Sequence, residues 1–156
     1  MDAQQLEHYI TSFRSTVYRL AYSYLKNRED AEDISQEAFL KLYTSVQSFA
    51  ADENVKAWLI RVTVNLCKNL LKSSAYRNHN ELTNEAAPPS PESSGIEEYI
   101  QRLSPEYSAV LYLFYFEGYS VKEIAKICRT TSAAVRTRLS RGRNKLKEML
   151  LKEDAL

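Results

Sequence analysis

The sequence predicts an all-α fold made of two small helical domains joined by a flexible linker. Glycine and proline are scarce, at three and four residues in 156, which leaves few turns for an all-β chain. Apolar residues recur at helical spacing on both sides of one proline-rich stretch. That stretch includes Pro88, Pro89 and Pro91, so we place the linker at 74–95 and the domains at 1–73 and 96–156.

Three helices are expected in the first domain. The first covers roughly residues 3–26, and Asn27 is suited to cap the second. The core-facing stripe of the second helix is predicted to be Ala31, Ile34, Ala38, Leu42 and Val46. A loop is expected from Ser48 to Asn54. The third helix then runs from about Val55 to Ser73, and its apolar face is predicted to carry Leu59, Val62, Leu66 and Leu70.

The second domain is predicted to begin with a short helix, Ile96 to Leu103. Ser104 and Pro105 then form a strong helix start, with a capping serine and a proline at the first helical position. That helix is expected to end at Gly118, which suits a left-handed C-terminal cap. The next helix opens with a capping box from Ser120 to Glu123, and Thr131 can cap the last one.

The stretch from Ser120 to Lys147 has the layout of a helix-turn-helix, in which the second helix lies in the major groove of DNA. Helical spacing turns one set of residues inward, namely Val135, Leu139, Gly142 and Leu146. It turns another set outward, namely Arg136, Thr137, Ser140, Arg141 and Asn144. Glycine is costly inside a helix, so we expect Gly142 to pack closely against the first helix of the motif.

Charge is nearly balanced over the whole chain, with a formal net charge of +1, but it is not evenly distributed. No acidic residue lies between Glu123 and Glu148, whereas that segment carries Arg129, Arg136, Arg138, Arg141, Arg143, Lys145 and Lys147. Such a block indicates a face that binds a polyanion, although a merely solvated helix face has the same composition.

Other site classes find little support in the sequence. Cys67 and Cys128 each sit in an apolar helical pattern, so both are expected to be buried free thiols. His8 and His79 lie near no ligand cluster, and we expect neither a metal nor a cofactor. The polar N-terminus and the lack of a long apolar run predict a soluble, cytoplasmic protein that does not insert into a membrane.

Four segments together resemble RNA polymerase sigma factors of the extracytoplasmic-function (ECF) type. The stretch from Ser120 to Leu146 is similar to the helix-turn-helix of region 4, and Leu103 to Ser120 resembles the segment before it. The stretch from Asp30 to Tyr43 is similar to the polymerase-docking helix of region 2, and Ala57 to Asn69 resembles the part that opens and reads the minus-ten element. The resemblance covers nearly everything except the linker.

This resemblance implies partners and roles for particular residues. Core RNA polymerase would be bound by region 2, through the clamp helices of its β′ subunit, and by region 4, through its β flap. The implied contacts with the clamp helices are Asp30, Asp33, Gln36, Glu37 and Lys41. An anti-sigma factor would control the protein, and could hold it at the membrane of a bacterial cell.

Promoter DNA is the second implied partner, read at two elements. The implied minus-ten residues are Asn54, Trp58, Asn65, Lys68, Asn69 and Lys72, with Asn65 and the loop from Ser48 holding a base flipped from the melted strand. The implied minus-thirty-five residues are Arg129, Ser132, Arg136, Thr137, Ser140, Arg141 and Arg143. Trp58 fits a core position equally well, and the acids near Asp30 would also complement a helix dipole.

Two positions depart from the family pattern. Arg129 stands where the turn of the helix-turn-helix often has glycine, which implies either an altered turn or a phosphate contact there. Leu71-Lys72 replaces a basic pair at the end of the minus-ten segment, which implies weaker contacts with the DNA duplex. A helix-turn-helix repressor or activator that acts without polymerase is an alternative, as is a helical adaptor that binds only proteins. An enzyme is disfavoured because the chain has no nucleophile–base set, metal cluster or phosphate loop.

Overall fold

A computed structural model describes residues 1–73 and 95–154. All regular secondary structure in these residues is α-helix, and the chain divides into two compact units. The all-α prediction is therefore confirmed. The predicted linker, 74–95, lies outside the described residues apart from Gly95, which is the first residue of a helix.

The N-terminal unit contains α1 (Ala3–Leu25), α2 (Arg28–Thr44) and α3 (Asp52–Lys72). Asn27 caps α2 as predicted, because its side-chain oxygen accepts a hydrogen bond from the Asp30 N–H at 2.8 Å. The three helices pack on one another around an apolar core that includes Val17, Ala38, Phe39, Leu42, Val55 and Leu59. Each of the three buries one face in this core.

The core face of α3 differs from the prediction. Leu59 is buried as expected, but Val62, Leu66 and Leu70 are only half-buried. The remaining positions that α3 buries are Val55, Ile60, Thr63, Val64 and Cys67. Thr63 can occupy the core because its hydroxyl donates a hydrogen bond to the Leu59 carbonyl at 2.7 Å.

Two predicted boundaries around the loop are also wrong. The α2 helix ends at Thr44, since Ser45 has an extended backbone, and Val46 is consequently fully exposed instead of continuing the core stripe. The α3 helix begins at Asp52, three residues earlier than expected, so the loop covers 45–51. Asp52 and the acid that follows it lie in the first turn of α3, where the helix dipole favours negative charge.

The C-terminal unit contains α4 (Gly95–Gln101), α5 (Pro105–Tyr115), α6 (Val121–Ile127) and α7 (Ser132–Asp154). Its fully buried side chains include Ile100, Leu111, Tyr112, Leu113, Ile124 and Val135. The α4 helix ends two residues before the predicted Leu103, and α5 ends at Tyr115. Gly118, just beyond α5, has a φ of +73°, the left-handed conformation expected of it.

Two local interpretations in this unit need correction. Ser104 precedes α5 as expected, but its side chain accepts no capping hydrogen bond; its carbonyl oxygen accepts from the N–H groups of Tyr107 and Ser108. Gly142 is buried against α5, not against α6, the first helix of the helix-turn-helix. A Cβ at Gly142 would lie 2.9 Å from Cδ1 of Leu111, so glycine permits a close approach of α7 to α5.

Candidate nucleic-acid interface

The helix-turn-helix consists of α6, a short connection and α7. Ser120 and Glu123 form the predicted capping box: the Glu123 N–H donates to the Ser120 hydroxyl, and the Ser120 N–H donates to the Glu123 carboxylate, each at 3.1 Å. These bonds hold the pKa of Glu123 below its usual value. At the start of α7 the Thr131 hydroxyl accepts from the Ala134 N–H, also at 3.1 Å, which confirms the predicted cap.

Arg129 closes α6 in a left-handed conformation, with a φ of +54°. The Thr130 N–H donates to the Ala125 carbonyl at 2.9 Å and the Arg129 N–H to the Lys126 carbonyl at 3.3 Å. This is the bonding pattern of a Schellman motif, which usually places glycine at the left-handed position. Arginine at this position therefore keeps the left-handed turn at a conformational cost, and its side chain is exposed.

The α7 helix presents an exposed polar and basic face. Val135, Leu139 and Gly142 are buried as predicted, and Leu146 is half-buried. The residues predicted to face outward are all exposed, namely Arg136, Thr137, Ser140, Arg141 and Asn144. Among the other residues predicted to contact the minus-thirty-five element, Arg143 is exposed and Ser132, in the first turn, is half-buried. This face can donate many hydrogen bonds to base edges and phosphates.

The six residues predicted to contact the minus-ten element lie along one stripe of α3. Helical geometry places Asn54, Trp58, Asn65, Lys68, Asn69 and Lys72 within one sector of the helix circumference. From Asn54 to Lys72 the stripe is about 27 Å long, at 1.5 Å per residue. Asn54, Asn69 and Lys72 are exposed, and Asn65 and Lys68 are half-buried.

Trp58 has a part in the core of the N-terminal unit. Its ring is half-buried and packs against the core, edge-on to Phe49, with 6.0 Å between the ring centroids. Phe49 belongs to the loop that connects α2 and α3. Trp58 thus packs this loop against α3.

The exposed face of α2 carries the residues predicted to bind polymerase. Asp33, Gln36, Glu37 and Lys41 are exposed. Asp30 is half-buried instead, and its carboxylate accepts a hydrogen bond from the Asn27 side-chain amide at 2.8 Å. Asp30 therefore serves the N-terminal cap of its own helix, and the other four residues form an open polar surface.

Comparison with known proteins agrees with this geometry. Residues 9–76 match the family model Sigma-70 region 2, and residues 94–146 match Sigma-70, region 4. The chain is 32% identical to RNA polymerase sigma factor SigV of Bacillus subtilis over 150 residues, which covers 93% of this chain and 90% of the relative. This chain is a sigma factor of the sigma-70 family.

Further relatives place the sigma factor in the ECF group. It is 31% identical to ECF RNA polymerase sigma factor SigE of Mycolicibacterium smegmatis, over 89% of this chain and 59% of the relative. Two solved structures share the fold: the sigma factor RpoE in complex with the anti-sigma factor NepR from Bartonella quintana, and CnrH in complex with the cytosolic domain of CnrY. Their TM-scores are 0.73 and 0.63, at 22% and 19% identity, and they cover 95% and 96% of this chain.

Three exposed residues of the sigma factor extend these surfaces and were missed by the sequence interpretation. Arg61 is exposed and lies in the α3 stripe between Trp58 and Asn65, and the regular spacing of that stripe could have identified it. Leu40 and Tyr43 adjoin the exposed polar residues of α2, with 63% and 44% of their surface exposed. Leu40 falls outside the apolar stripe of α2, and an apolar residue at such a position could have indicated an exposed binding surface.

Both cysteines of the sigma factor are buried and outside disulfides, as predicted. Burial raises the pKa of the Cys67 thiol. Within the described residues no group of His, Cys, Asp and Glu side chains could hold a metal ion. None of the described helices is both long and apolar enough to cross a membrane.

Proposed function

We propose that this ECF sigma factor binds core RNA polymerase, directs it to specific promoters and helps to melt the DNA. The observation that carries the proposal is the exposed face of α7, where hydroxyl, amide and basic side chains follow one another without an acid up to Glu148. The sigma factor itself catalyses no reaction in this proposal. The polymerase supplies the chemistry, and the sigma factor supplies the choice of start site in the cytoplasm.

In this proposal α7 enters the major groove of the minus-thirty-five element. Arg136 and Arg141 flank Thr137 and Ser140 on the exposed face, and arginine suits guanine edges while hydroxyls adapt to several bases. The later cations, from Arg143 onward, would meet phosphates as the helix leaves the groove. Arg129, whose side chain is exposed in the turn, would contact the phosphate backbone of the DNA.

The N-terminal unit would bind both the minus-ten element and the polymerase. The α3 stripe offers amides, a partly exposed indole ring and cations along about 27 Å, long enough to follow several nucleotides of an unstacked strand. Asn65 and the neighbouring loop would hold a flipped base. The exposed acids of α2, joined by Leu40 and Tyr43, would bind the β′ clamp helices, and the C-terminal unit would bind the β flap.

We further propose control by an anti-sigma factor. The support is indirect: one structural neighbour, RpoE of Bartonella quintana, was crystallised with the anti-sigma factor NepR. An anti-sigma factor anchored in the membrane would retain the protein there until it is released. Co-purification of the chromosomally tagged protein, followed by mass spectrometry, tests for such a partner; recovery of core polymerase alone under repressing conditions would contradict the proposal.

Run-off transcription tests the main proposal. Purified protein is mixed with bacterial core polymerase and a library of genomic fragments, and the transcripts are sequenced. We expect starts at a small set of promoters that share minus-ten and minus-thirty-five elements. If the protein shifts a specific DNA site unaided and yields no transcript with core polymerase, it acts as a repressor or activator instead.

The α7 surface is tested by two substitutions that separate base reading from charge. Arg136→Ala should weaken binding at the preferred promoter by about 1–3 kcal/mol and relax the preference at one or two base pairs. Lys147→Ala, which removes a later cation, should weaken all sequences alike and lower the salt slope by about one. The measurement is holoenzyme binding to single-base-pair promoter variants at two salt concentrations. Equal weakening of every variant by Arg136→Ala would contradict base reading by this residue.

A further inference from the structure

One face of α5 contacts α7 through three residues that are each one turn apart, Tyr107, Leu111 and Tyr115. Leu111 is fully buried, and it receives the backbone of α7 at Gly142. A Cβ at Gly142 would also lie 3.3 Å from Cβ of Tyr107. The two helices therefore approach closely at Leu111, with a tyrosine on either side of the contact.

Each tyrosine engages a basic side chain that follows Gly142 on α7. A guanidinium nitrogen of Arg143 donates a hydrogen bond to the Tyr115 hydroxyl at 3.3 Å. The ammonium group of Lys145 lies over the ring of Tyr107, 5.7 Å from its centroid. Both basic residues are exposed, and Tyr115 has 52% of its surface exposed. The basic groups are thus held at the surface and are not drawn into the core.

The chemistry of a phenol suits this task. A carboxylate partner would neutralise the arginine and would have to be displaced by a phosphate, whereas a phenol is neutral and leaves the guanidinium charge intact. A guanidinium has five N–H donors, so one bond to Tyr115 leaves others available. Long side chains lose rotamer freedom when they bind, and a side chain that is restricted beforehand loses less.

We propose that Tyr115 is a positioning residue for DNA binding, which holds the Arg143 side chain in place for a promoter phosphate next to the minus-thirty-five element. The inference rests on the proposed function of α7. It gives α5, which packs against α7 at Gly142, an influence on the proposed DNA-binding surface through Tyr115. The contact between Tyr107 and Lys145 is a second instance of the same arrangement.

A double-mutant cycle tests the proposal on holoenzyme, with Tyr115→Phe, Arg143→Ala and the double variant. Binding is measured on a promoter and on the same DNA with a scrambled minus-thirty-five element, at several salt concentrations. We expect Tyr115→Phe to weaken binding about two- to tenfold on both DNAs, the effect of ordering one long side chain at the moment of binding instead of beforehand. Its salt slope should stay unchanged, because no charge is removed, whereas Arg143→Ala should lower the slope by about one.

The decisive comparison is Tyr115→Phe in the Arg143→Ala background, where it should have no further effect. A loss there as large as in the parent protein would overturn the proposal, since Tyr115 would then contact DNA or polymerase by itself. An Arg143→Ala variant with unchanged affinity and salt slope would also overturn the proposal. Base reading by Arg136 is tested separately, by the single-base-pair promoter variants. The thermal unfolding temperature of each variant is measured as well, and an unchanged value excludes a folding defect.

Tyr99→Phe is the matched control for the loss of a tyrosine hydroxyl in the same unit. The Tyr99 hydroxyl donates to Glu153 near the end of α7, and Arg102 reaches the same carboxylate at 3.4 Å. Tyr99→Phe should leave DNA affinity within about twofold of the parent at every salt concentration. A loss equal to that of Tyr115→Phe would show that any weakened contact to α7 has this effect, and would overturn a specific role for Tyr115.

Discussion

Arg129 pays a conformational cost that a glycine would avoid. A side chain in the left-handed region places Cβ close to the next carbonyl oxygen, at about 1–2 kcal/mol, and glycine escapes this penalty although it loses more entropy on folding. Arg129 holds a φ of +54° because the hydrogen bonds from Thr130 and from its own N–H require it. Arginine is unfavourable for the backbone of this turn, which fits a role for its positive charge in DNA binding.

We therefore expect Arg129→Gly to stabilise the C-terminal unit by about 1 kcal/mol and to weaken DNA binding at the same time. Arg129→Ala is the control, because it removes the charge and keeps the strained backbone. It should weaken DNA binding equally without the gain in stability. Urea denaturation and holoenzyme binding measure the two effects. A destabilised glycine variant would show that the arginine side chain supports the turn.

Lys26 ends α1 with the same left-handed backbone, at a φ of +61°. Burial lowers the pKa of Lys26 from its ordinary value of 10.5 to about 7. Between these two pH values the unfolded chain binds more protons than the folded one, so stability should rise as the pH increases from about 7 to 10.5. Below pH 7 the charged form is disfavoured in the fold by a constant amount.

Lys26→Met should abolish this rise in stability with pH. Methionine keeps the length and the apolar stem of the side chain, and it has no group that titrates in this range. The measurement is the free energy of unfolding of both proteins at pH values from about 6 to 10. Parallel profiles for the two proteins would mean that Lys26 keeps an ordinary pKa in the folded state.

At the scale of the element, α2 has a buried core face and an exposed polar face, and we propose that the exposed face binds polymerase. We expect Asp33→Arg or Glu37→Lys to reduce affinity for core polymerase at least tenfold, since a reversed charge at a partner surface turns attraction into repulsion. Both residues are exposed, so helicity should not change. Glu7→Lys on α1 makes the same charge change on another helix and is the control. If the affinity for polymerase is unchanged, Asp33 and Glu37 act only within their own helix.

The caps and core faces differ in how far the sequence determined them. Asn27, Ser120 and Thr131 were predictable because a cap depends on residues within one turn. The α3 face was predicted less well, because α3 contacts both α1 and α2 and is apolar over a broad sector, so periodicity does not select its centre. Val46 fits the apolar spacing of α2, but the helix ends at Thr44, before that spacing reaches it.

At the scale of the whole molecule, the proposed function assigns promoter recruitment and promoter opening to different surfaces. Asn65→Ala should leave holoenzyme assembly and initial promoter binding nearly unchanged, because a flipped-base pocket acts only after the duplex melts. Promoter opening should fall, as permanganate reactivity of the minus-ten thymines would show. Gln4→Ala, an amide change on the exposed N-terminal turn of α1 and outside the proposed DNA-binding surfaces, is the control. Normal permanganate reactivity in the Asn65 variant would remove this residue from the melting step.

The candidate surfaces were predictable where the residues lie on one helix, and they were unpredictable where a contact depends on the packing of two helices. The basic face of α7 follows from spacing and charge along a single helix. The bond between Tyr115 and Arg143 joins residues 28 apart, and it depends on the close approach of α5 and α7 at Gly142. The sequence suggested that Gly142 packs closely, but it could not identify α5 as the partner, since that choice depends on the tertiary fold.

The two buried thiols can serve as chemical probes of local unfolding in the two units. Cys67 lies in the N-terminal unit and Cys128 in the C-terminal unit, and both are shielded from solvent. An alkylating reagent reacts with a thiolate, so each cysteine can be modified only when its own unit opens. The two labelling rates, resolved by peptide mass, would therefore report the opening free energy of each unit within one intact chain, and would show which unit a bound partner stabilises.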